Sequence, residues 1–226
     1  MKEFSCKSGV DKYGRMYMIV SYKEDEKVVE KKVDMETFRT IINGSIKDET
    51  KYVLVPSLPQ QVYKAFISAE GEMDGFKVLL YYEPQKGPLS YMGKLFRIPF
   101  PALLFFLQVG KNGQLKEKKV YALKEMRKEN VTDNSELYFY PYSNVYSDGR
   151  ICMGNILSNF HTITDALSFK DQFIEGRSNG DLYSNRNTLK LKMGELIEKV
   201  EKEDRFPIEL LEQANLKVRD LFESTN

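Results

Sequence analysis

The spacing of apolar and polar positions predicts a mixed N-terminal region, then a run of strands, then helices. Met16, Met18 and Val20 alternate with Tyr17, Ile19 and Ser21. Lys23-Glu24-Asp25-Glu26 makes a turn and Val28 to Val33 returns, so residues 13–33 predict a β-hairpin. Asp34 is placed to cap a short helix over 35–43 that ends at Asn43-Gly44. A strand over 51–56, a helix over 59–69 and an apolar strand over 76–82 follow. Pro84-Gln85-Lys86-Gly87-Pro88 carries the strongest linker signal, because Pro and Gly interrupt both helix and strand. It divides an N-terminal α+β extension, residues 1–85, from a core, residues 86–226.

Beyond the linker the pattern is a meander, with strands over 94–98, 102–109, 118–124 and 136–142. Lys111-Asn112-Gly113 is a hairpin turn with a mechanism, since Asn-Gly accepts positive φ. A loop follows the last strand directly, and then helices take over. Thr164 caps a helix over 165–175, and Gly176 to Asn187 is a polar loop rich in Gly, Asn and Ser. Residues 188–203 place Leu189, Met193, Leu196, Ile197 and Val200 on one helical face. Pro207 opens a last helix with the stripe Leu211, Ala214, Val218, Leu221 and Phe222. The class is α+β: an antiparallel β-meander, a loop, and C-terminal helices, preceded by the α+β extension.

Composition narrows the function. The 34 basic and 33 acidic side chains nearly cancel, which argues against a nucleic-acid protein that works through a general basic field. Fourteen Tyr and fourteen Phe with no Trp suit a sheet-rich interior. The longest apolar run, Ile98 to Leu107, has ten residues and two prolines, where a membrane span needs about 20. Two cysteines, Cys6 and Cys152, are not a disulfide framework, and with a single histidine no metal site is expected. No nucleotide or phosphate-binding motif occurs, so no cofactor is expected. The N-terminus has no apolar signal core, and the expected location is the cytoplasm, where a thiol stays reduced.

The loop after the last strand holds the concentrated chemical signal: Pro141-Tyr142-Ser143-Asn144-Val145-Tyr146-Ser147-Asp148-Gly149-Arg150-Ile151-Cys152-Met153-Gly154-Asn155-Ile156-Leu157. Asn144 stands eight positions before Cys152, with the turn pair Asp148-Gly149 between them. Only a thiolate is a strong nucleophile, and a free Cys has a pKa of about 8.5, so surroundings and exposure decide its use. A working Cys must lie in a loop open to a bulky partner, whereas a lone Cys is more often a small buried hydrophobe.

The segment resembles the active-site segment of ubiquitin-conjugating enzymes: His-Pro-Asn, an apolar-aromatic step, a Gly turn, an apolar residue and the thioester Cys. Asn144, Val145, Tyr146, Gly149, Ile151, Cys152 and Leu157 fall in that pattern. The family's His-Pro is replaced by Tyr142-Ser143, and the one histidine, His161, lies nine residues after Cys152. That arrangement resembles the prokaryotic ubiquitin-conjugating-enzyme-like family D, the PRTRC protein-B-like group. Arg97-Ile98-Pro99-Phe100-Pro101-Ala102-Leu103-Leu104-Phe105 also looks like the segment that opens that family's core.

The resemblance implies a thioester carrier. Cys152 would accept a ubiquitin-like protein from a ThiF-like activating enzyme and pass it to an amine. Asn144 would steady the loop and the oxyanion, and a JAB-type isopeptidase would accompany them. His161 has two readings: a local base, or a group that orients the attacking amine, near Cys152; or else a loop residue or a partly buried ring hydrogen-bonded to backbone. Asp165 and Asp148 are read as helix cap and turn residue rather than as chemistry. Tyr142 is expected to support the loop by its hydroxyl or by stacking, Tyr146 to pack, and Gly149 and Gly154 to shape the loop. The alternative is a non-catalytic member that binds a ubiquitin-like protein or scaffolds a cassette. A cysteine peptidase is weaker, because such a pair usually has a third orienting group.

Overall fold

A computed structural model describes residues 4–11, 16–24, 27–34, 37–38, 52–55, 57–69, 71–152 and 159–223. The chain divides into two compact units, Met1–Lys51 and Tyr52–Asn226.

In the first unit β1 (Phe4–Val10), β2 (Met16–Glu24) and β3 (Lys27–Asp34) form an antiparallel sheet in that order. The expected hairpin is β2–β3, with Tyr17 opposite Asp34 and Glu24 opposite Lys27. The Asp34 carboxylate accepts the Thr37 backbone N–H at 2.7 Å, as a cap would. The rest of the expected 35–43 helix and its Asn43-Gly44 end lie outside the described residues.

The second unit is mixed α+β and mostly antiparallel strands. Its strands are β4 (Tyr52–Leu54), β5 (Val62–Ser68), β6 (Gly71–Tyr82), β7 (Gln85–Tyr91), β8 (Lys94–Phe100), β9 (Ala102–Gly110), β10 (Leu115–Leu123), β11 (Glu136–Phe139), β12 (Arg177–Ser178) and β13 (Gln213–Lys217). A seven-stranded sheet runs β13-β11-β10-β9-β6-β5-β4, and a second sheet runs β12-β7-β8. Helices are short: α1 (Ile163–Ala166), α2 (Ser168–Ile174), α3 (Met193–Val200) and α4 (Asp220–Glu223).

The apolar run Ala102-Leu103-Leu104-Phe105-Phe106-Leu107 forms most of β9, at the centre of the larger sheet and buried on both faces. Leu103, Phe105 and Leu107 join the cluster formed with α2, α3 and the β7–β8 pair, through Phe169, Phe173, Leu196, Ile98 and Phe100. Leu104 and Phe106 face the opposite cluster, with Tyr121, Leu123, Leu137, Val218 and Leu221. Each such side chain contributes about 1.5–3 kcal/mol of burial. At the β9–β10 turn Asn112 and Gly113 take φ of 67° and 77°, as the Asn-Gly pair predicts.

Several expectations change. Residues 59–69 form strand β5, not a helix. Bulges after Val62 and Ile67 shift its register, so burial recurs every third residue at Val62, Ala65 and Ser68 and imitates a helical period. The 84–88 segment is no linker, because β7 begins at Gln85 and pairs with β8. Pro88 is tolerated there because β12 pairs only with Ser90 and Tyr91 and leaves that side of Pro88 open. The 94–98 strand thus belongs to the smaller sheet, not to the meander. The 188–203 helix contracts to Met193–Val200, since Lys190 takes φ 55° and buried Asn187 binds both the N–H and the C=O of Leu191. The last helical stripe dissolves into a 3-10 turn at Ile208–Leu210, strand β13 and α4. Its residues serve opposite faces of the sheet, Leu211 on one and Val218 and Leu221 on the other.

The expected 165–175 helix is α1 followed by α2, capped at Thr162 rather than Thr164. Among the described residues no helix is long and apolar enough to cross a membrane, and no group of three His, Cys, Asp or Glu is placed to hold a metal ion.

Candidate active site

Strand β11 delivers the chain into a small hairpin that carries both Asn144 and Cys152. The Cys152 N–H donates to the Asn144 carbonyl at 2.8 Å, Val145 bridges Ile151, and the Tyr146 N–H donates to the Arg150 carbonyl at 2.8 Å. The Gly149 N–H closes the turn on the Tyr146 carbonyl at 3.1 Å, and Gly149 takes φ 81°. This is a tight turn followed by a left-handed residue, a form that suits Asp-Gly. Asp148 caps the tip: its carboxylate accepts the Arg150 backbone N–H at 3.1 Å and the Arg150 Nε at 2.6 Å. Burial pushes that carboxyl up, but the Arg150 bonds outweigh it and hold its pKa below the ordinary 3.8.

The hairpin extends the sheet. The Val120 N–H donates to the Gly149 carbonyl and the Ile151 N–H to the Lys118 carbonyl, so residues 149–151 lie along the first half of β10 while β11 takes the second. Lys119 and Arg150 stand opposite each other. Like charges opposed in this way repel, and each has a carboxylate two residues away on its own strand: Glu117 at 2.6 Å and Asp148 at 2.6 Å. Val145 and Ile151 are buried, so strand alternation turns Cys152 away from the core. Cys152 is a free, partly exposed thiol.

Asn144 has φ 69°, in the left-handed region that Asn tolerates better than most residues. Its Nδ2 donates to the Arg177 carbonyl at 2.8 Å. An amide nitrogen carries two hydrogens, so one remains for another acceptor. Tyr142 is buried, donates its hydroxyl to the Pro99 carbonyl at 2.6 Å, and packs edge-on against Phe100, Tyr140 and Phe206. Tyr146 is exposed, with the Arg150 guanidinium 5.2 Å from its ring centre. The Tyr121 hydroxyl donates to the Asp148 carbonyl at 2.8 Å, and the Tyr121 ring lies where a side chain on Gly149 would go.

Gly154 falls in residues 153–158, outside the described residues. The chain returns at Asn159, which bridges Gln114, and the Phe160 N–H donates to the Gly113 carbonyl. Measured along β10, Asn159 lies roughly 15 Å from Arg150. His161 follows, exposed, and its backbone N–H donates to the Asp165 carboxylate at 3.1 Å. That carboxylate also takes the Thr162 N–H while the Thr162 hydroxyl takes the Asp165 N–H, a capping box at the start of α1. The structure thus joins Asn144 to Cys152. Among the described residues no hydrogen bond joins His161 to either.

Two residues absent from the sequence-based candidates hold the site together. Arg186, 8 % exposed, donates to the carbonyls of Tyr146 at 2.7 Å, Val145 at 2.6 Å and Leu182 at 3.1 Å, and to Ser184 Oγ at 2.6 Å. Ser143 Oγ donates to the Asn179 carbonyl. Both contacts come from the 176–187 loop, whose composition marks it as polar and nothing more. Distance in sequence hides the pairing, and no spacing rule would have found it.

A meander that leads into a hairpin with an Asn and a partly exposed Cys, followed by helices, follows the order of elements in a ubiquitin-conjugating-type domain. A family model agrees: prokaryotic E2 family D matches residues 59–207, more than half of the 226-residue chain, and the chain belongs to that family. Neither the curated proteins nor the solved structures gave a match. Its function is ubiquitin-conjugating-like, and a domain of this kind works with an activating enzyme and a ubiquitin-like protein.

Proposed function

We propose that Cys152 carries a ubiquitin-like protein as a thioester. Its thiolate attacks the thioester carbonyl on a ThiF-like activating enzyme, and the activating enzyme's thiol leaves. An amine then attacks the carbonyl on Cys152, forms the amide, gives up a proton and releases the Cys152 thiolate. The observation that carries this reading is the hairpin pairing of a partly exposed free thiol with Asn144. The Asn144 amide hydrogen not used on Arg177 is available to the oxyanion, a contribution of roughly 3–4 kcal/mol in acyl transfer. His161 is assigned a supporting part as a local base for the attacking amine. The setting is a cytoplasmic PRTRC-type cassette with a JAB-type isopeptidase.

The test is transfer in vitro with the cognate activating enzyme and ubiquitin-like protein, read on gels with and without reductant. Cys152→Ser should replace a thiol-sensitive adduct by a thiol-resistant oxyester, because the hydroxyl keeps the geometry and leaves poorly. Asn144→Ala should load normally and discharge to an amine about a hundredfold more slowly. A charged activating enzyme that yields no reductant-sensitive adduct on Cys152 would sink the carrier reading and leave a binding module in its place. For His161, identical pH profiles of Cys152 alkylation in the parent and in His161→Ala would reduce it to a structural residue.

A further inference from the structure

We propose that Arg186 is a positioning residue that fixes the hairpin carrying Cys152, acting from the 176–187 loop as a guanidinium clamp. The inference rests on the reading of Cys152 as the working thiol. Four successive residues of the site are tied to this one loop. Ser143 Oγ donates to the Asn179 carbonyl, Asn144 Nδ2 to the Arg177 carbonyl, and Arg186 reaches the carbonyls of Val145 and Tyr146. The hairpin then relays those positions: Asn144 holds the Cys152 N–H, Val145 bridges Ile151, and Tyr146 holds Arg150.

The choice of residue is informative. A buried cation is costly unless its donors are satisfied. All the hydrogen bonds described for Arg186 end on carbonyl or hydroxyl oxygens. Its planar fork serves two adjacent carbonyls at once, which a lysine ammonium on a flexible stem does not reproduce. The Phe139 ring, 5.6 Å from the guanidinium, covers the group where β11 runs into the hairpin. The loop is in turn anchored at both ends. β12 pairs with Ser90 and Tyr91 of β7, and buried Asn187 donates to the Tyr183 hydroxyl at 2.9 Å and binds both backbone groups of Leu191. The clamp therefore transmits the position of a fixed loop to the hairpin and does not simply follow it.

Amide hydrogen exchange on the full chain tests this without an activating enzyme, because the Cys152 N–H sits on the Asn144 carbonyl and reports the hairpin directly. Arg186→Lys keeps the charge and loses the fork. The expected result is roughly tenfold or faster exchange at Cys152, Ile151 and Tyr146, the loss of hydrogen bonds from a charged donor, while Phe105 and Leu107 in β9 keep their parental rates. The pH profile of Cys152 alkylation should shift with it. Ser184→Ala removes only the acceptor of Nε and should move the same hairpin amides less, which keeps the test decisive if the Arg186 variant folds poorly. Parental rates at these amides in Arg186→Lys, or a rise that merely follows the β9 amides, would overturn the clamp. A hairpin effect together with no adduct on Cys152 would leave the clamp standing and remove the carrier reading.

Discussion

At the scale of single residues the site is a matter of backbone more than of unusual side chains. Gly149 shows this most directly. Its φ of 81° lies in the left-handed region, and a Cβ there would point at the Tyr121 ring, whose hydroxyl already holds the Asp148 carbonyl. Gly149→Ala is expected to cost about 1–3 kcal/mol from the backbone conformation alone. The ring contact adds to that. A denaturant midpoint equal to the parent's would show that the turn relaxes freely. Asp148 contributes at the same tip: with its pKa held below 3.8, its stabilisation is present above that value and fades as the pH falls through the lowered pKa. The carboxylate is largely exposed, so solvent screens the effect.

At the scale of elements, the edges of the larger sheet decide what the chain becomes. β13 covers the free side of β11, with Glu136 opposite Lys217 and Leu137 opposite Leu216. It then leads into α4, whose Leu221 is 3 % exposed in the second hydrophobic cluster. These residues lie beyond the 59–207 segment that defines the family, yet they complete its sheet. Leu221→Ala should cost about 2–5 kcal/mol, the range for emptying a buried leucine site. Urea unfolding measures it, and a loss well under 1 kcal/mol would mean that α4 is dispensable to the core. The Arg186 clamp belongs to this scale as well, since it couples one loop to another through a single side chain.

At the scale of the whole molecule, buried tyrosines set the response to alkali. Tyr142 and Tyr140 are almost fully buried, and burial pushes both hydroxyls above the ordinary 10. Burial also raises Tyr82 and Tyr121 to about 12. In the unfolded chain these groups ionise near pH 10. Their neutral packing therefore stabilises the fold fully below that pH and is lost as the pH rises toward and through the raised values. Circular dichroism should show cooperative alkaline unfolding that begins near pH 10. Tyr142→Phe should lose about 1 kcal/mol at neutral pH, where the Pro99 bond is gone. It should lose less of its remaining stability between neutrality and the alkaline transition than the parent does. An equal fractional loss would place the alkaline weakness elsewhere.

Much of this was written locally. The β2–β3 pair, the Asn112-Gly113 turn and the continuous apolar run of β9 follow from neighbouring residues, because each depends on the period of side chains about one backbone. The Asp148-Gly149 turn and the alternation of buried Ile151 with Cys152 place the thiol outside the core by the same reasoning. Only the tertiary structure decided the rest. Bulges gave β5 a three-residue rhythm that reads as helix, and Gln85 to Tyr91 became a strand because β8 was there to pair with it. Leu211, Val218 and Leu221 formed no single stripe because the two faces of one sheet competed for them. Arg186 was invisible for the same reason. Periodicity records which face of an element turns inward, but not which distant carbonyls will come within reach of a buried charge.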